Sequence, residues 1–135
     1  MSSPPSSYLL LNASSPISLE TARALLLTPT TSLLLTSSDP RTLTLTIAML
    51  ADECLAHDRI FGLYWCPSES PLSAIGDGVK DTVGKVNGMA LFDDSVCTFN
   101  VKPSFDDMKR SAGLFKDVVE EVEMERGGSV VLVSP

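Results

Sequence analysis

The stretch SFDDMKRSAGLFKDVVEEVEMERGGSVVLVSP, residues 104–135, decides the fold class. Its apolar residues recur alternately four and three positions apart, which is the spacing of one face of an α-helix. They are Met108, Ala112, Phe115, Val119 and Val122. We therefore predict an amphipathic helix over residues 104–125, capped by Ser104. Gly127 and Gly128 then release the chain into a final apolar strand, residues 129–134.

The same alternation of apolar strands and helices runs through the rest of the chain. Strands are predicted at residues 8–12, 32–36, 59–66, 88–92 and 95–101, and helices at 19–27, after Ser18 as N-cap, and from Asp39-Pro40 to about Ala56. Residues 42–47 also alternate like a strand, but the Asp-Pro start favours the helix. Residues 67–78 are predicted to be a loop, and Asp93-Asp94 a hairpin turn.

This order predicts one α/β domain over residues 8–135, after a flexible tail at residues 1–7. Its sheet is expected to be mixed and mostly parallel, with helices on its faces and one β-hairpin.

Composition excludes several classes of function. The net charge of −7 and the lack of any basic block argue against nucleic acid or an anionic membrane as a partner. Three scattered cysteines without a CxxC pair predict neither a disulfide framework nor a zinc site, and they fit a reducing compartment. The N-terminus lacks the features of a signal peptide, so a cytoplasmic or nuclear location is expected. No metal or cofactor is predicted.

The best-placed candidate ligand site follows the strand that ends at Cys66. Ligands of α/β sheets bind beyond the carboxyl ends of strands. A small polar ligand could there meet hydroxyls and loop N–H groups. The candidate ligand-binding residues are Cys66, Ser68, Ser70, Gly76 and Gly78.

Motifs for phosphate binding or catalysis are incomplete. GDGVKDTVGK, residues 76–85, has the wrong glycine spacing for a P-loop and lacks the Ser or Thr after Lys85, and no GxGxxG occurs. His57 is the only histidine, so any Ser-His or Cys-His catalysis would have to use it. Whether the chain is an enzyme is left open by these residues, with the absence of a complete constellation favouring a non-enzyme.

Residues 32–101 resemble the early part of a FIST-type sensory domain. The resemblance rests on SLLLTSS, on the strand ending in Cys66-Pro67-Ser68, and on the later strands GMALF and VCTFNV. It implies binding of a small metabolite, such as an amino acid.

Three functional hypotheses follow. The first is a non-enzymatic protein-interaction module, a subunit of an assembly with another protein or a second copy of itself. Its contact residues would be Val131 and Val133 of the final strand with Met108 and Phe115 of the last helix. The alternatives are a small-metabolite sensory domain using the loop after Cys66, and a small enzyme using His57 or Cys66.

Overall fold

A parallel β-sheet with helices on both faces forms the domain. The structure, a computed structural model, describes residues 6–11, 16–66, 69–92, 116–117 and 124–133. The described strands are β1 (Ser6–Leu11), β2 (Thr31–Ser37), β3 (Ile60–Tyr64), β4 (Val86–Phe92) and β5 (Met124–Val133); the helices are α1 (Pro16–Leu26), α2 (Pro40–Cys54) and α3 (Ser73–Thr82).

The strands lie side by side in the order β3-β2-β1-β4-β5, and every described pairing is parallel. β1 is central, with β2 on one side and β4 on the other. The chain therefore builds outward from β1 to β3 and then returns across the sheet to β4. All five strands end at the same edge, which we call the carboxyl edge.

Consecutive leucines in the strands serve opposite faces of the sheet. Leu33 and Leu35 pack with Leu10 on the face covered by α1 and α2, whereas Leu34 packs with Leu9 on the face covered by α3. Successive side chains of a strand point to opposite faces, so a sheet covered on both faces needs uninterrupted apolar strands. The runs YLLL and SLLLT meet that requirement.

Local hydrogen bonds explain why the threonine-rich segment 42–47 is helical. Asp39 has extended backbone angles and caps the first turn of α2, in which Pro40 lacks an N–H that would otherwise need a partner. The Thr44 hydroxyl donates to the Pro40 carbonyl at 2.9 Å, and Leu43 and Leu50 are buried against the sheet. Capping and burial thus outweigh the strand preference of the β-branched residues.

The α/β fold class is confirmed, with some boundaries corrected. Ser18 is not an N-cap, because α1 begins at Pro16 and Ser18 is buried within its first turn. The predicted loop 67–78 is wrong in its second half, where α3 begins at Ser73. Packing of Ile75 and Val79 on the sheet stabilises this helix despite its two glycines.

The predicted boundary between the last helix and the last strand is also wrong. Residues 124 and 125 belong to β5, not to a helix, and Gly127 and Gly128 lie within β5, where its register with β4 shifts between Val86 and Gly88. The second hairpin strand, residues 95–101, and the contact candidates Met108 and Phe115 lie outside the described residues. Within the described ranges, no helix has both the length and the apolar character needed to cross a membrane.

Candidate functional site

The carboxyl edge of the sheet brings together the starts of all three described helices. β2 leads into α2 through Ser38 and Asp39, and β3 leads toward α3 through Trp65 and Cys66. α1 begins at Pro16, on the other side of residues 12–15 from β1. In parallel α/β sheets, ligands bind in the crevice outside this edge, where the strand order reverses. Here that point lies between β1 and β4.

The turn between β2 and α2 fixes a charged carboxylate at this edge. One oxygen of Asp39, Oδ1, accepts from the backbone N–H groups of Arg41 at 3.0 Å and Thr42 at 3.3 Å, and Oδ2 accepts from the Thr42 hydroxyl at 2.7 Å. The Asp39 N–H in turn donates to the hydroxyl of buried Ser37 at 3.1 Å. The Thr42 hydroxyl bond first, and the backbone bonds next, hold the pKa of Asp39 below its ordinary range.

Arg41 adds a cation beside this carboxylate. It is exposed in the first turn of α2, and no carboxylate in the described part of the chain lies within ion-pair distance of its guanidinium. An exposed guanidinium can bind a phosphate through two parallel hydrogen bonds, and a fixed carboxylate can accept from sugar hydroxyls. At the β2–α2 turn, Arg41 could therefore bind the phosphate of a phosphorylated ribose, and Asp39 could accept hydrogen bonds from its hydroxyls.

Hydrogen bonds among its own residues hold the connection after β3. The Trp65 indole N–H donates to the Pro71 carbonyl at 3.0 Å. The Cys66 N–H donates to the Ser70 hydroxyl at 3.1 Å, and the Ser70 N–H donates back to the Cys66 carbonyl at 2.7 Å. Two of the predicted ligand residues, Cys66 and Ser70, are thus brought together by hydrogen bonds to each other. Ser68 lies outside the described residues.

The other two predicted ligand residues lie within α3. Gly76 is buried, and a Cβ on Gly78 would come within 2.8 Å of Leu63 Cδ2, so Gly78 allows α3 to pack closely on β3. Helix packing explains the glycine at position 78 without a ligand. No observation tests ligand binding by the Cys66 group of residues, which stays a prediction.

Val131 and Val133 lie in β5, where they are in register with Ala90 and Phe92 of β4. Their backbones are therefore part of the sheet. Their role as contact residues is not tested by this pairing.

His57 and Cys66 lie at opposite ends of β3. His57 follows α2 at the amino edge, where its Nε2 lies 3.2 Å from Asp52 Oδ1 on the exposed surface. Cys66 follows β3 at the carboxyl edge, where it is half-buried and forms no disulfide. The strand separates them, so they cannot act on one substrate together. Across the part of the chain that the structure describes, no three His, Cys, Asp or Glu side chains form a group that could hold a metal ion.

The start of α1 contrasts with the start of α2. Pro16, its first residue, has no N–H to donate, and Ser18 is 1% exposed. The first glycine in the chain is Gly62, so no glycine occurs between β1 and α1 or within α1. The first basic residue is Arg23, in the last turn of α1. Residues 1–22 therefore contribute neither a glycine nor a cation to this helix start.

Comparisons with solved structures identify the fold. A short-chain type dehydrogenase/reductase from Mycobacterium ulcerans superimposes with a TM-score of 0.69 at 20% identity, covering 98% of this chain and 52% of that protein. An NADPH-dependent reductase of bacilysin biosynthesis gives 0.67 at 14% identity, with coverages of 96% and 58%. A short-chain dehydrogenase from Oenococcus oeni gives 0.64 at 17% identity, with coverages of 97% and 62%.

This chain thus spans little more than half of the length of each of these three enzymes. No protein-family model matches the sequence, and no curated protein matches it either. At these identities the likeness shows the fold alone, a doubly wound parallel sheet with strand order 3-2-1-4-5.

These matches correct the functional hypotheses. The non-enzymatic interaction module and the sensory domain are wrong, because the neighbours are dehydrogenases and reductases. The small enzyme using His57 or Cys66 is not tested by these matches and stays a prediction. The resemblance to a FIST-type domain is not tested by these matches.

Sheets of this strand order often bind dinucleotides, and two positions at their carboxyl edge contact the ligand. In this fold an acidic residue after the second strand binds the ribose 2′-hydroxyl, or an Arg nearby accommodates a 2′-phosphate. Asp39 and Arg41 stand at that position. Glycines after the first strand let the backbone approach the pyrophosphate, and this chain has none there. Asp39 and Arg41 thus stand where the ribose would bind, and residues 12–15, after the first strand, lie outside the described residues.

Sequence reasoning missed the β2–α2 turn as a site. The strand-end rule that predicts a site after Cys66 holds equally for the strand before Asp39. The signal was present in SSDPR, residues 37–41, where a carboxylate and a guanidinium follow a buried strand. The Asp-Pro pair predicts the start of α2, which the structure confirms.

Proposed function

We propose that this chain is the nucleotide-binding half of an oxidoreductase of the dehydrogenase/reductase type, with the nucleotide resting on the carboxyl edge. One observation carries the proposal: the parallel order β3-β2-β1-β4-β5 places Asp39 and Arg41 beside the point where strand order reverses. The NADPH-dependent reductase of the same fold supports the choice of ligand class.

Each residue of the turn has a separate task in this proposal. Asp39, held ionised by Thr42, accepts hydrogen bonds from the ribose hydroxyls. Arg41 binds a 2′-phosphate where the nucleotide carries one. Ser37 fixes the Asp39 backbone by accepting its N–H.

Calorimetric titration of the chain with NADPH, NADH, adenosine 2′,5′-bisphosphate and AMP tests the proposal. We expect saturable binding of at least one of the four ligands. Arg41→Ala should weaken binding of ligands with a 2′-phosphate about tenfold, because a charge-assisted hydrogen bond contributes about 1.5–3 kcal/mol. AMP, which has no 2′-phosphate, should be unaffected by this substitution.

Lys80→Ala is the matched control. Lys80 is exposed in the last turn of α3, at the amino edge, so its removal changes the net charge equally without touching the β2–α2 turn. Equal weakening by both substitutions would mean that net charge alone attracts the ligand. Absence of saturable binding by all four nucleotides would overturn the proposed function.

A further inference from the structure

The outer edge of β3 carries backbone groups that face away from the rest of the sheet. In the order of the described strands, β3 stands at one end and pairs with β2. The Arg59 carbonyl accepts an N–H of β2 at 2.8 Å, and the Trp65 N–H donates to a carbonyl of β2 at 3.0 Å. Backbone groups alternate in direction along a strand, so the N–H and carbonyl groups of Ile60, Gly62 and Tyr64 face outward.

The exposure of Gly62 shows that solvent reaches this edge. Glycine has no side chain, so the exposed surface of Gly62 is backbone. α2 covers one face of this residue, because a Cβ added to it would collide with Ile47 Cδ1. α3 covers the opposite face of β3, where Gly78 packs closely on Leu63. The remaining accessible side of Gly62 is therefore the edge of the sheet.

The edge lacks the charged residue and the proline by which many natural sheet edges avoid pairing. The segment IFGLYW, residues 60–65, contains neither, and its pairing with β2 runs without a register shift. Phe61 and Leu63 are only half-buried beside the edge. An uncharged edge offers no ion pair to a charged peptide, and it is complementary to a second uncharged edge.

The flank of α2 above this edge is also uncharged. α2 contacts α1 through Glu53, which accepts from Arg23 at 2.8 Å. At 3.6 residues per turn, Thr44 and Ala48 lie about 140–180° around the helix from Glu53, on the side away from α1. Both residues are exposed. Two helices pack about 8–10 Å apart, with the separation set by the side chains at the contact, so small residues here permit close approach.

The sequence of the edge is suited to an antiparallel copy of itself. With a two-fold axis at Gly62, this residue faces its own copy, and Ile60 faces Tyr64 of the other copy on both sides of the axis. Residues that face each other in this way exchange two hydrogen bonds, about six in all for the three pairs. On the α3 face, Phe61 comes opposite Leu63 of the other copy. On the other face, the two uncharged flanks of α2 meet.

We propose that two copies of this chain pair along β3, antiparallel about Gly62, into one continuous sheet. Each copy buries one strand edge and one helix flank, which is at the small end of specific interfaces, about 1,200 Å² in total. A reversible dimer with a micromolar dissociation constant is therefore expected. The carboxyl edges of the two copies face opposite ways, so the pairing goes beyond the proposed function and does not depend on it.

The first test uses the unmodified chain. Light scattering over a concentration series measures its mass, and amide hydrogen exchange is followed over the same series. We expect the mass to double as the concentration rises through the micromolar range, and the amides of Ile60, Gly62 and Tyr64 to exchange more slowly in the dimer. A mass that stays that of one chain would overturn the proposal. A dimer in which these three amides exchange as fast as in the monomer would also overturn it, because the contact would then lie elsewhere.

The second test removes an outward donor. Tyr64→Pro deletes an N–H that faces away from β2, and proline is tolerated on an edge strand in that orientation. By symmetry the dimer loses two hydrogen bonds, so its dissociation constant should rise about tenfold. Tyr64→Ala is the matched control, because it also loses the ring and its hydroxyl contact with Glu69 but keeps the N–H. Equal weakening by both substitutions would contradict pairing through the backbone.

The third test leaves the strand intact and changes the flank of α2. Ala48→Glu brings two like charges together across the two-fold axis, so the dissociation constant should rise about tenfold. Ala24→Glu makes the same substitution at an exposed position of α1, away from β3, and should leave the dimer unchanged. Equal effects of the two substitutions, or no effect of Ala48→Glu, would overturn the antiparallel arrangement. Circular dichroism verifies that each variant is folded.

Discussion

The starts of α1 and α2 share their first residue type and differ in the residues beside it. Both helices start with a proline at the carboxyl edge, Pro16 in α1 and Pro40 in α2. After Pro40 the exposed cation Arg41 follows, and Asp39 before it caps the helix. After Pro16 come Ile17 and the buried Ser18.

The difference teaches that a helix start and a ligand site are separate requirements. Proline and a cap suffice to begin a helix, because they fix one backbone angle and satisfy the first N–H groups. A phosphate site further needs donors that face outward, with close backbone approach or positive charge. The start of α2 has its cap and, beside it, the exposed guanidinium of Arg41, whereas residues 12–15, which precede α1, lie outside the described residues.

The largest expected effect is a loss of stability in the core beneath the starts of α1 and α2. Leu34 of β2 is fully buried against Leu9 and Leu11 of β1, in the layer under α3. Leu34→Ala should lower the free energy of unfolding by about 3 kcal/mol, because it leaves a cavity between the two strands that precede the turns. Urea unfolding followed by circular dichroism measures the loss.

Leu45→Ala is the control for this loss. Leu45 lies on α2 and is 66% exposed. Its truncation should change stability by about 0.5 kcal/mol or less. If both variants lose equally, β2 does not lie in a packed core, and the two turns do not share a rigid support.

Much of this fold could be predicted from residues with strong local signals. The continuous runs YLLL and SLLLT predicted strands covered on both faces, and Asp39-Pro40 predicted the start of α2. The start of α3 could not be predicted so easily. Two glycines lower its intrinsic helix preference, and only packing of Ile75 and Val79 against the sheet reveals why it forms.

The candidate site was harder to predict than the fold because it depends on strand order. Nothing in the sequence places β4 beside β1, and this neighbourhood creates the point where the order reverses. Without it, the loop after Cys66 and the turn at Asp39 are equivalent strand ends. The structure distinguishes the two strand ends. After β3, Cys66 and Ser70 form hydrogen bonds with each other, whereas Arg41 after β2 is exposed.

An intermediate effect is expected on thermal stability when the Asp39 cap of α2 is removed. The folded-state pKa of Asp39 lies below its ordinary value of 3.8, first because of the Thr42 hydroxyl. The ionised cap therefore stabilises the fold above about pH 4, and this stabilisation is lost as the pH falls through the folded-state pKa. Asp39→Ala should lower the Tm at neutral pH, and its difference from the unmodified chain should shrink in acid.

Asp39→Asn separates the charge from the cap. Asparagine is also a good N-cap, so this variant should lose less Tm at neutral pH than Asp39→Ala. Its own cap should not weaken in acid, because an amide does not titrate. Thermal unfolding of the three chains between pH 2 and about 7 checks the order. A constant gap between the unmodified chain and Asp39→Ala would contradict an ionised cap.

The smallest expected effect concerns the link between the two helices that the turns begin. Arg23 of α1 bonds to Glu53 of α2 at 2.8 Å, and this bond raises the pKa of Arg23. The pair is solvent-exposed, so water and salt screen it strongly. In a double-mutant cycle of Arg23→Gln and Glu53→Gln, the coupling should be small and should vanish at about 1 M NaCl, where the screening length is about 3 Å. A coupling that persists at high salt would mean that this contact fixes the two helices rigidly. A substitution at the start of α1 would then be expected to shift α2 as well.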